Sequence, residues 1–361
     1  MLPALFLTIK TPLNYNKRIH IIQHILTQKI CETGKENQTK RDDFTVKMNL
    51  MGKLDIRISQ LCFGTLPMGP LQAGIPMNEG VALLRKAFEN GVNFYDTAEL
   101  YGTYSYLKEA FAKENDVVIA TKSTAETYAD MEKSIFDALE GLGRETIDIF
   151  HLHAARAKRE VFIEREGALQ CLVDYRDKGL IRTVGISTHA VDVVEEAATY
   201  EDIDIVFPIV NLDGLGILRG NLQDMLKAVQ TVHQAGKGLY AMKALGGGHY
   251  LERLLDAIEF TRNLREMDAV SVGMVRKEEL DVHLHLFNDR SVPQGLIEKC
   301  LAREKKKVVV LGYCRQCYRC VETCPSGAIH MGEKKPEVDQ ETCLRCGYCL
   351  PGCPEFNLRF A

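Results

Sequence analysis

Val81-Ala82-Leu83-Leu84-Arg85-Lys86-Ala87-Phe88-Glu89-Asn90-Gly91-Val92-Asn93-Phe94-Tyr95-Asp96 holds the pattern on which the reading of the fold turns. Residues 81–90 place apolar side chains at helical spacing, Gly91 suits a helix C-cap, and Val92 to Asp96 form a short apolar run of strand type. Outward from this unit the same alternation recurs between Ile58 and Val275. Strand-like runs stand at Gln60 to Gly64, Val117 to Thr121, Ile147 to Leu152, Arg182 to Ile186, Ile205 to Ile209, Gly238 to Met242 and Ala269 to Gly273. Helical patterns at Tyr128 to Leu142, Glu166 to Lys178 and Leu222 to Ala235 lie between them, followed by Gly143, Gly179 and Gly236. Eight such repeats predict an α/β fold, a (β/α)8 TIM barrel.

A chain of 361 residues has room for that barrel and one small further domain. Lys277 to Lys307 reads as a charged helical segment ending in Glu304-Lys305-Lys306-Lys307. The expected organisation is an N-terminal extension over 1–47, a barrel over 48–300 and a cysteine-rich module over 301–361. The extension is polar and aperiodic, as a disordered segment would be, and Met48 and Met51 offer internal starts. A net charge of -4 with both signs interspersed argues against a nucleic-acid footprint and against a polybasic membrane surface. No apolar run approaches the ~18 residues of a membrane span. Lys10, Lys17, Arg18 and His20 follow the apolar Met1 to Leu7 rather than precede it, so a secretory signal is not expected and the location reads as cytoplasmic.

Of 12 cysteines, Cys31, Cys62, Cys171 and Cys300 stand alone, and the other eight fall between Cys314 and Cys353. They form one motif twice: Cys314-x-x-Cys317-x-x-Cys320-x-x-x-Cys324-Pro325 and Cys343-x-x-Cys346-x-x-Cys349-x-x-x-Cys353-Pro354. In a chain without a secretory signal this spacing points to metal rather than to disulfides. Three cysteines on a tight loop reach three irons of one cube, while the fourth reaches the neighbouring cube. The implied ligand sets are Cys314, Cys317, Cys320 and Cys353 for one 4Fe-4S cluster, and Cys343, Cys346, Cys349 and Cys324 for the other. Structural zinc sites also use Cys-x-x-Cys pairs but leave the third cysteine and the prolines of each run unexplained. With Ser326-Gly327-Ala328-Ile329 after the first run, residues ~310 to 358 resemble the bacterial two-cluster ferredoxins, which implies a small α+β module of paired hairpins and helices.

Active sites of such barrels lie at the C-terminal ends of the strands. Asp96 ends the second strand-like run, Lys122 follows the third, His153 follows the fourth, and Tyr101 lies just beyond Asp96. A tyrosine can protonate a developing alkoxide if a nearby cation lowers its pKa, which Lys122 would do, with Asp96 holding the lysine charged and His153 donating to the carbonyl oxygen. Each residue also has a structural reading, as cap, packing group or solvated strand end. Their convergence on one rim favours chemistry.

The chain resembles the aldo-keto reductase superfamily through Gly91 to Gly102, Ile119-Ala120-Thr121-Lys122-Ser123, Asp148-Ile149-Phe150-His151-Leu152-His153 and Val184-Gly185-Ile186-Ser187. The resemblance implies a catalytic tetrad of Asp96, Tyr101, Lys122 and His153, with His151 the rival histidine. It also implies cofactor contacts at Gly64 and Thr65, at Ser187 for the carboxamide, at Asn211, and from Gly273 to Arg276 near the adenosine phosphates, Arg276 favouring NADP over NAD. No stacking aromatic stands on the seventh run, where Met242 takes that place and Lys243 follows as a rim charge. Barrel and module together look like the iron-sulfur branch of the superfamily, found widely among anaerobic microbes.

The leading expectation is an NAD(P)H-dependent oxidoreductase acting on a small aldehyde or ketone. A nicotinamide moves two electrons as hydride, a cluster moves one, and no flavin motif is visible to convert between them. Two alternatives follow: an electron-transfer protein whose two 4Fe-4S clusters serve a redox protein partner, and clusters with a purely structural role.

Overall fold

Short, β-branched and aromatic runs flanked by amphipathic helices can bury both faces only in a closed parallel sheet, and the chain adopts one. The computed structural model describes residues 44–302, 307–312, 314–355 and 357–361; the expected extension as far as residue 43 and Glu304-Lys305-Lys306 lie outside them. The barrel strands are β1 (Leu61–Gly64), β2 (Phe94–Asp96), β3 (Val118–Ser123), β4 (Ile147–His153), β5 (Ile181–Thr188), β6 (Ile205–Pro208), β7 (Gly238–Ala241) and β8 (Ala269–Gly273). Each pairs in parallel with the next, and β8 closes on β1 with Gly273 opposite Gly64. All eight sequence runs are strands. β4 is buried along its whole length and includes His153, one residue past the expected end.

Phe94, Ile149, Ile205, Phe207 and Tyr240 fill the barrel interior with the smaller Cys62 and Ala120. Phe207 stacks on Tyr240 with ring centroids 3.8 Å apart. A hairpin of Met48–Leu50 and Arg57–Ser59 closes the N-terminal end and buries Met51 and Ile58. Among the surrounding helices, Tyr128–Leu142 opens on Thr127, whose hydroxyl accepts from Asp130 N, and Leu222–Ala235 opens on a reciprocal Asn221–Asp224 capping box. Gly143 and Gly236 end these two helices in the left-handed conformation.

Two expectations need correction. Lys277 to Lys307 is not one helical segment: the helices Lys277–Leu286 and Gln294–Leu301 are separated by a turn with left-handed Asp289 and by Pro293. Proline cannot continue a helix ladder, so the second helix starts just after it. The packed chain also begins before Met48, since Val46 is buried and the Arg290 guanidinium lies 4.7 Å from the Phe44 ring centroid. Among the described residues no helix is long and apolar enough to cross a membrane.

Asp268 ties the hairpin to the barrel floor, its Oδ2 accepting from Gly52 N at 2.9 Å and from Leu239 N at 2.8 Å. Burial pushes its carboxyl up from 3.8 to about 6. A raised folded value means that the protonated form favours folding. That contribution is full below the unfolded value and lost as pH rises through about 6. Asp268→Asn keeps an oxygen acceptor and is expected to remove this slope, leaving the variant about 1–2 kcal/mol more stable than the parent above neutrality. Urea unfolding on either side of the transition checks this; an identical pH profile for both proteins counts against it.

Residues 307–361 form a small α+β module. Val308–Val310 pairs antiparallel with Leu358–Phe360, Ile329–Met331 pairs antiparallel with Pro336–Val338, and short helices cover Arg319–Thr323 and Cys349–Gly352. The module belongs to the same compact unit as the barrel.

Candidate functional site

Parallel strands bring their C-terminal ends to one rim, and the rim carries the chemistry. Lys122 on β3 is 1% exposed, and its ammonium donates to Asp96 Oδ1 at 2.8 Å, to Asp96 Oδ2 at 2.9 Å and to Thr97 O at 2.6 Å. Burial works against both charges, raising the Asp96 pKa and lowering that of Lys122, and the ion pair offsets it. The Tyr240 hydroxyl donates to Asp96 Oδ1 at 3.2 Å and lies 2.7 Å from His151 Nε2. His151 is thus an interior residue that braces Asp96 through Tyr240, whereas His153, the last residue of β4, stands at the rim.

Tyr101 sits on the short helix Glu99–Tyr101 that follows β2, beneath left-handed Gly102. Lys122 Nζ lies 4.8 Å from the centre of the Tyr101 ring. All three protons of the ammonium are committed to Asp96 and Thr97, so the lysine does not reach the phenol oxygen. The expected lowering of the Tyr101 pKa is absent: burial first, then Tyr348 and Asp96, hold it well above the ordinary tyrosine value. His153 is held neutral, by burial first and then by the cations around it, Lys122 foremost.

A cavity of about 170 Å³ opens over these groups. Of the expected cofactor contacts, Gly64, Ser187 and Gly273 line it, and Met242 and Lys243 join them. Thr65, Asn211 and Arg276 are not among its lining residues. The Thr65 hydroxyl donates to Asp96 O at 3.0 Å. The Asn211 amide braces its own loop, donating to Leu215 O and accepting from Leu215 N, both at 2.8 Å. The Arg276 guanidinium donates to the carbonyls of Lys299, Cys300 and Ala302 at the end of Gln294–Leu301, where helix carbonyls lack partners. Each side chain answers a local backbone need that spacing along the chain does not reveal.

The rest of the cavity comes from the cysteine module. Leu344, Arg345 and Tyr348 line it, and Tyr348 Oη lies 3.1 Å from Tyr101 Oη and 3.2 Å from His153 Nε2. Sequence reasoning missed Tyr348, which stands inside Cys346-Gly347-Tyr348-Cys349 and reads there only as cluster loop. Cys346 itself packs with Leu66, Leu71, Ala98 and Tyr101 of the barrel mouth.

The eight cysteines separate into two groups. Cys314, Cys317, Cys320 and Cys353 line one small cavity. Cys349 lies in the electrostatic field of Cys346, Cys324 and Cys343. The same grouping, with Cys324 and Cys353 exchanged between the runs, is expected of the ligands of two clusters, and soft thiolates in sets of four would suit iron-sulfur cubes.

Residues 60–309 match the family model described as "Aldo/keto reductase family". The chain belongs to the aldo/keto reductase family. Residues 313–357 match the model of a 4Fe-4S dicluster domain. Over 226 residues the chain is 26% identical to L-galactose dehydrogenase of Arabidopsis thaliana, an alignment covering 58% of this chain and 68% of that one. It is 28% identical over 166 residues to pyridoxine 4-dehydrogenase of Escherichia coli, covering 40% of this chain and 58% of that one. Its cysteine module is 42% identical over 53 residues to one component of an ion-translocating oxidoreductase complex of Methanosarcina acetivorans, which is 15% of this chain and 20% of that one. An aldo-keto reductase of Bacillus halodurans, in its holo form, superposes with a TM-score of 0.55 at 18% identity over 70% of this chain and 96% of that one.

In this chain half of the module's buried core is cysteine: Cys320, Cys324, Cys343 and Cys349 pack with Val308, Ala328, Ile329 and Leu358. A core this small would gain stability from a metal bound by those cysteines. Removing iron with an anaerobic chelator is expected to open residues 307–361 to limited proteolysis while the barrel resists; equal resistance with and without iron would deny the metal a structural role.

Proposed function

We propose that this reductase converts an aldehyde or ketone to the alcohol with NAD(P)H, Tyr101 acting as general acid. One observation carries the reading: the buried Tyr101 Oη and His153 Nε2 lie 3.1 and 3.2 Å from one common point, beside the Lys122–Asp96 pair. A carbonyl oxygen placed at that point receives hydrogen bonds from both groups. A nicotinamide bound in the cavity would supply the hydride, a proton with two electrons, that the carbonyl carbon needs. Tyr101 passes its proton to the oxygen and regains one from solvent. Neutral His153 donates through Nε2 and fixes the carbonyl's orientation. Lys122, held by Asp96, sets positive charge under the ring of Tyr101 as charge develops on its oxygen.

Gly64 and Ser187, which line the cavity, would hold the nicotinamide end, and Gly273 would lie toward the adenosine phosphates. With Arg276 committed to helix carbonyls, the argument for a 2′-phosphate contact loses its basis, and NADPH and NADH stand as alternatives. The eight cysteines hold two 4Fe-4S clusters in the sets Cys314, Cys317, Cys320, Cys353 and Cys324, Cys343, Cys346, Cys349.

A second reading, transfer of electrons between a redox protein partner and the barrel, is favoured by one feature: Cys317 is exposed at the surface whereas Cys346 is buried against Tyr101. Anaerobic purification with iron and sulfide analysis, followed by NADPH or NADH oxidation against a panel of small aldehydes and ketones, tests the first reading. Turnover without an EPR signal of reduced clusters supports carbonyl reduction by hydride. Cluster reduction by NAD(P)H, with no turnover, supports the second.

A further inference from the structure

Tyr348 belongs to the module by sequence and to the barrel by contact. Its phenol oxygen occupies the point between Tyr101 and His153, and its ring lies edge-on to His153 with centroids 5.7 Å apart. The surrounding backbone is fitted closely enough to keep it there. A Cβ on Gly347, which has φ +80°, would meet Leu71 O at 2.3 Å, and one on Gly247, with φ +66°, would meet Leu344 O at 2.1 Å. His249 Nε2 lies 2.9 Å from Cys343 O on the same side. On the far side Arg156 donates to the carbonyls of Val321 and Glu322 at 2.9 and 3.0 Å. The module therefore roofs the barrel. The space beneath, about 170 Å³, is smaller than the roughly 300–1,000 Å³ of ordinary ligand pockets.

We propose that Tyr348 holds the place of the ligand's oxygen: a small carbonyl or hydroxyl compound enters the barrel by displacing the Tyr348 phenol from Tyr101 and His153, and so moves the loop that carries Cys346 and Cys349. Tyr348 thereby sets specificity, because it admits only ligands whose oxygen replaces both hydrogen bonds it surrenders. A buried phenol and a buried imidazole left without partners oppose its departure, so an apolar compound of the same size gains no entry. Occupancy of the barrel is reported at the inner cysteine set because Tyr348 lies between two of its members in sequence. The assignment rests on the proposed reading for the identity of the oxygen site, but displacement itself needs no turnover.

The test uses holoprotein, NADPH and 1-butanol. Reduced cofactor and alcohol cannot react with each other, so binding is observed alone. In the dithionite-reduced protein, butanol is expected to change the EPR line shape saturably, whereas butane-saturated buffer is not. Tyr348→Phe removes the competing hydroxyl but keeps the ring and is expected to bind butanol five- to tenfold more tightly. Iron and sulfide contents equal to the parent's establish that the variant is folded, and Tyr348→Ala, with the ring gone as well, is expected to bind more tightly still. Equal or weaker butanol binding by Tyr348→Phe, or an EPR spectrum that butanol leaves unaltered in the parent, overturns the proposal. NADPH binding is followed separately by its fluorescence, so failure of the nicotinamide reading is distinguished from failure of displacement.

Discussion

Tyr101→Phe is expected to lower the rate of carbonyl reduction by about 10²- to 10⁴-fold, the range for loss of a positioned general acid, while iron content and NADPH affinity stay at the parent's values. The substitution removes one oxygen from a ring packed among Leu66, Leu71, Ala98 and Cys346, so the fold has little reason to respond. It also frees the Tyr348 hydroxyl from one of its two partners. The direction of the Tyr101 pKa adds a second, pH-dependent expectation. Burial, Tyr348 and Asp96 all keep the proton on the phenol, so turnover by the parent should show no basic limb from this group through mildly alkaline pH. Normal turnover by the phenylalanine variant would remove Tyr101 from the reaction; a basic limb near neutrality that disappears in the variant would mean that ligand binding reverses the shift.

Lys122→Met is expected to destabilise the barrel by about 3–5 kcal/mol, because it leaves the Asp96 carboxylate buried without its cation. Asp96 is 4% exposed, and among the described residues the Tyr240 hydroxyl would be the one remaining donor to its carboxylate. Thr97 O loses its partner as well. The variant's carboxyl should answer by taking up a proton, since burial already raises its pKa while Lys122 is present. Its stability should therefore recover as pH falls. Combining Lys122→Met with Asp96→Asn is expected to return more than half of the loss, since a neutral amide costs far less to bury than an unpaired charge. Chemical unfolding of the parent, the two single variants and the double variant closes the cycle. Equal stability of Lys122→Met and the parent would show that water reaches Asp96 and that the pair contributes to function alone.

Tyr240 shows why part of the site escaped sequence reasoning. In the chain it is one aromatic in a strand-like run, indistinguishable from core; folded, its hydroxyl links His151 to Asp96. The same contact separates the two histidines of His151-Leu152-His153. Alternation along β4 sends the two histidines to the same face, but only the last residue of the strand reaches the rim. Thr65, Asn211 and Arg276 fail as cavity residues for the complementary reason, since each lies near the expected place but is claimed by an unpaired backbone group of its own neighbourhood.

Periodicity and spacing are properties of adjacent residues, and what depended on them was determined by the sequence alone: eight strands with their helices, the order of the rim residues Asp96, Lys122 and His153, and the two four-cysteine runs. Tertiary structure alone decided that the cysteine module lies over the barrel mouth and that Tyr348, 247 residues from Tyr101 and 195 from His153, completes the site. No local pattern encodes that meeting. It arises because glycine at 247 and 347 lets two backbones approach without an intervening side chain, and because two buried polar groups at the rim are satisfied by one phenol.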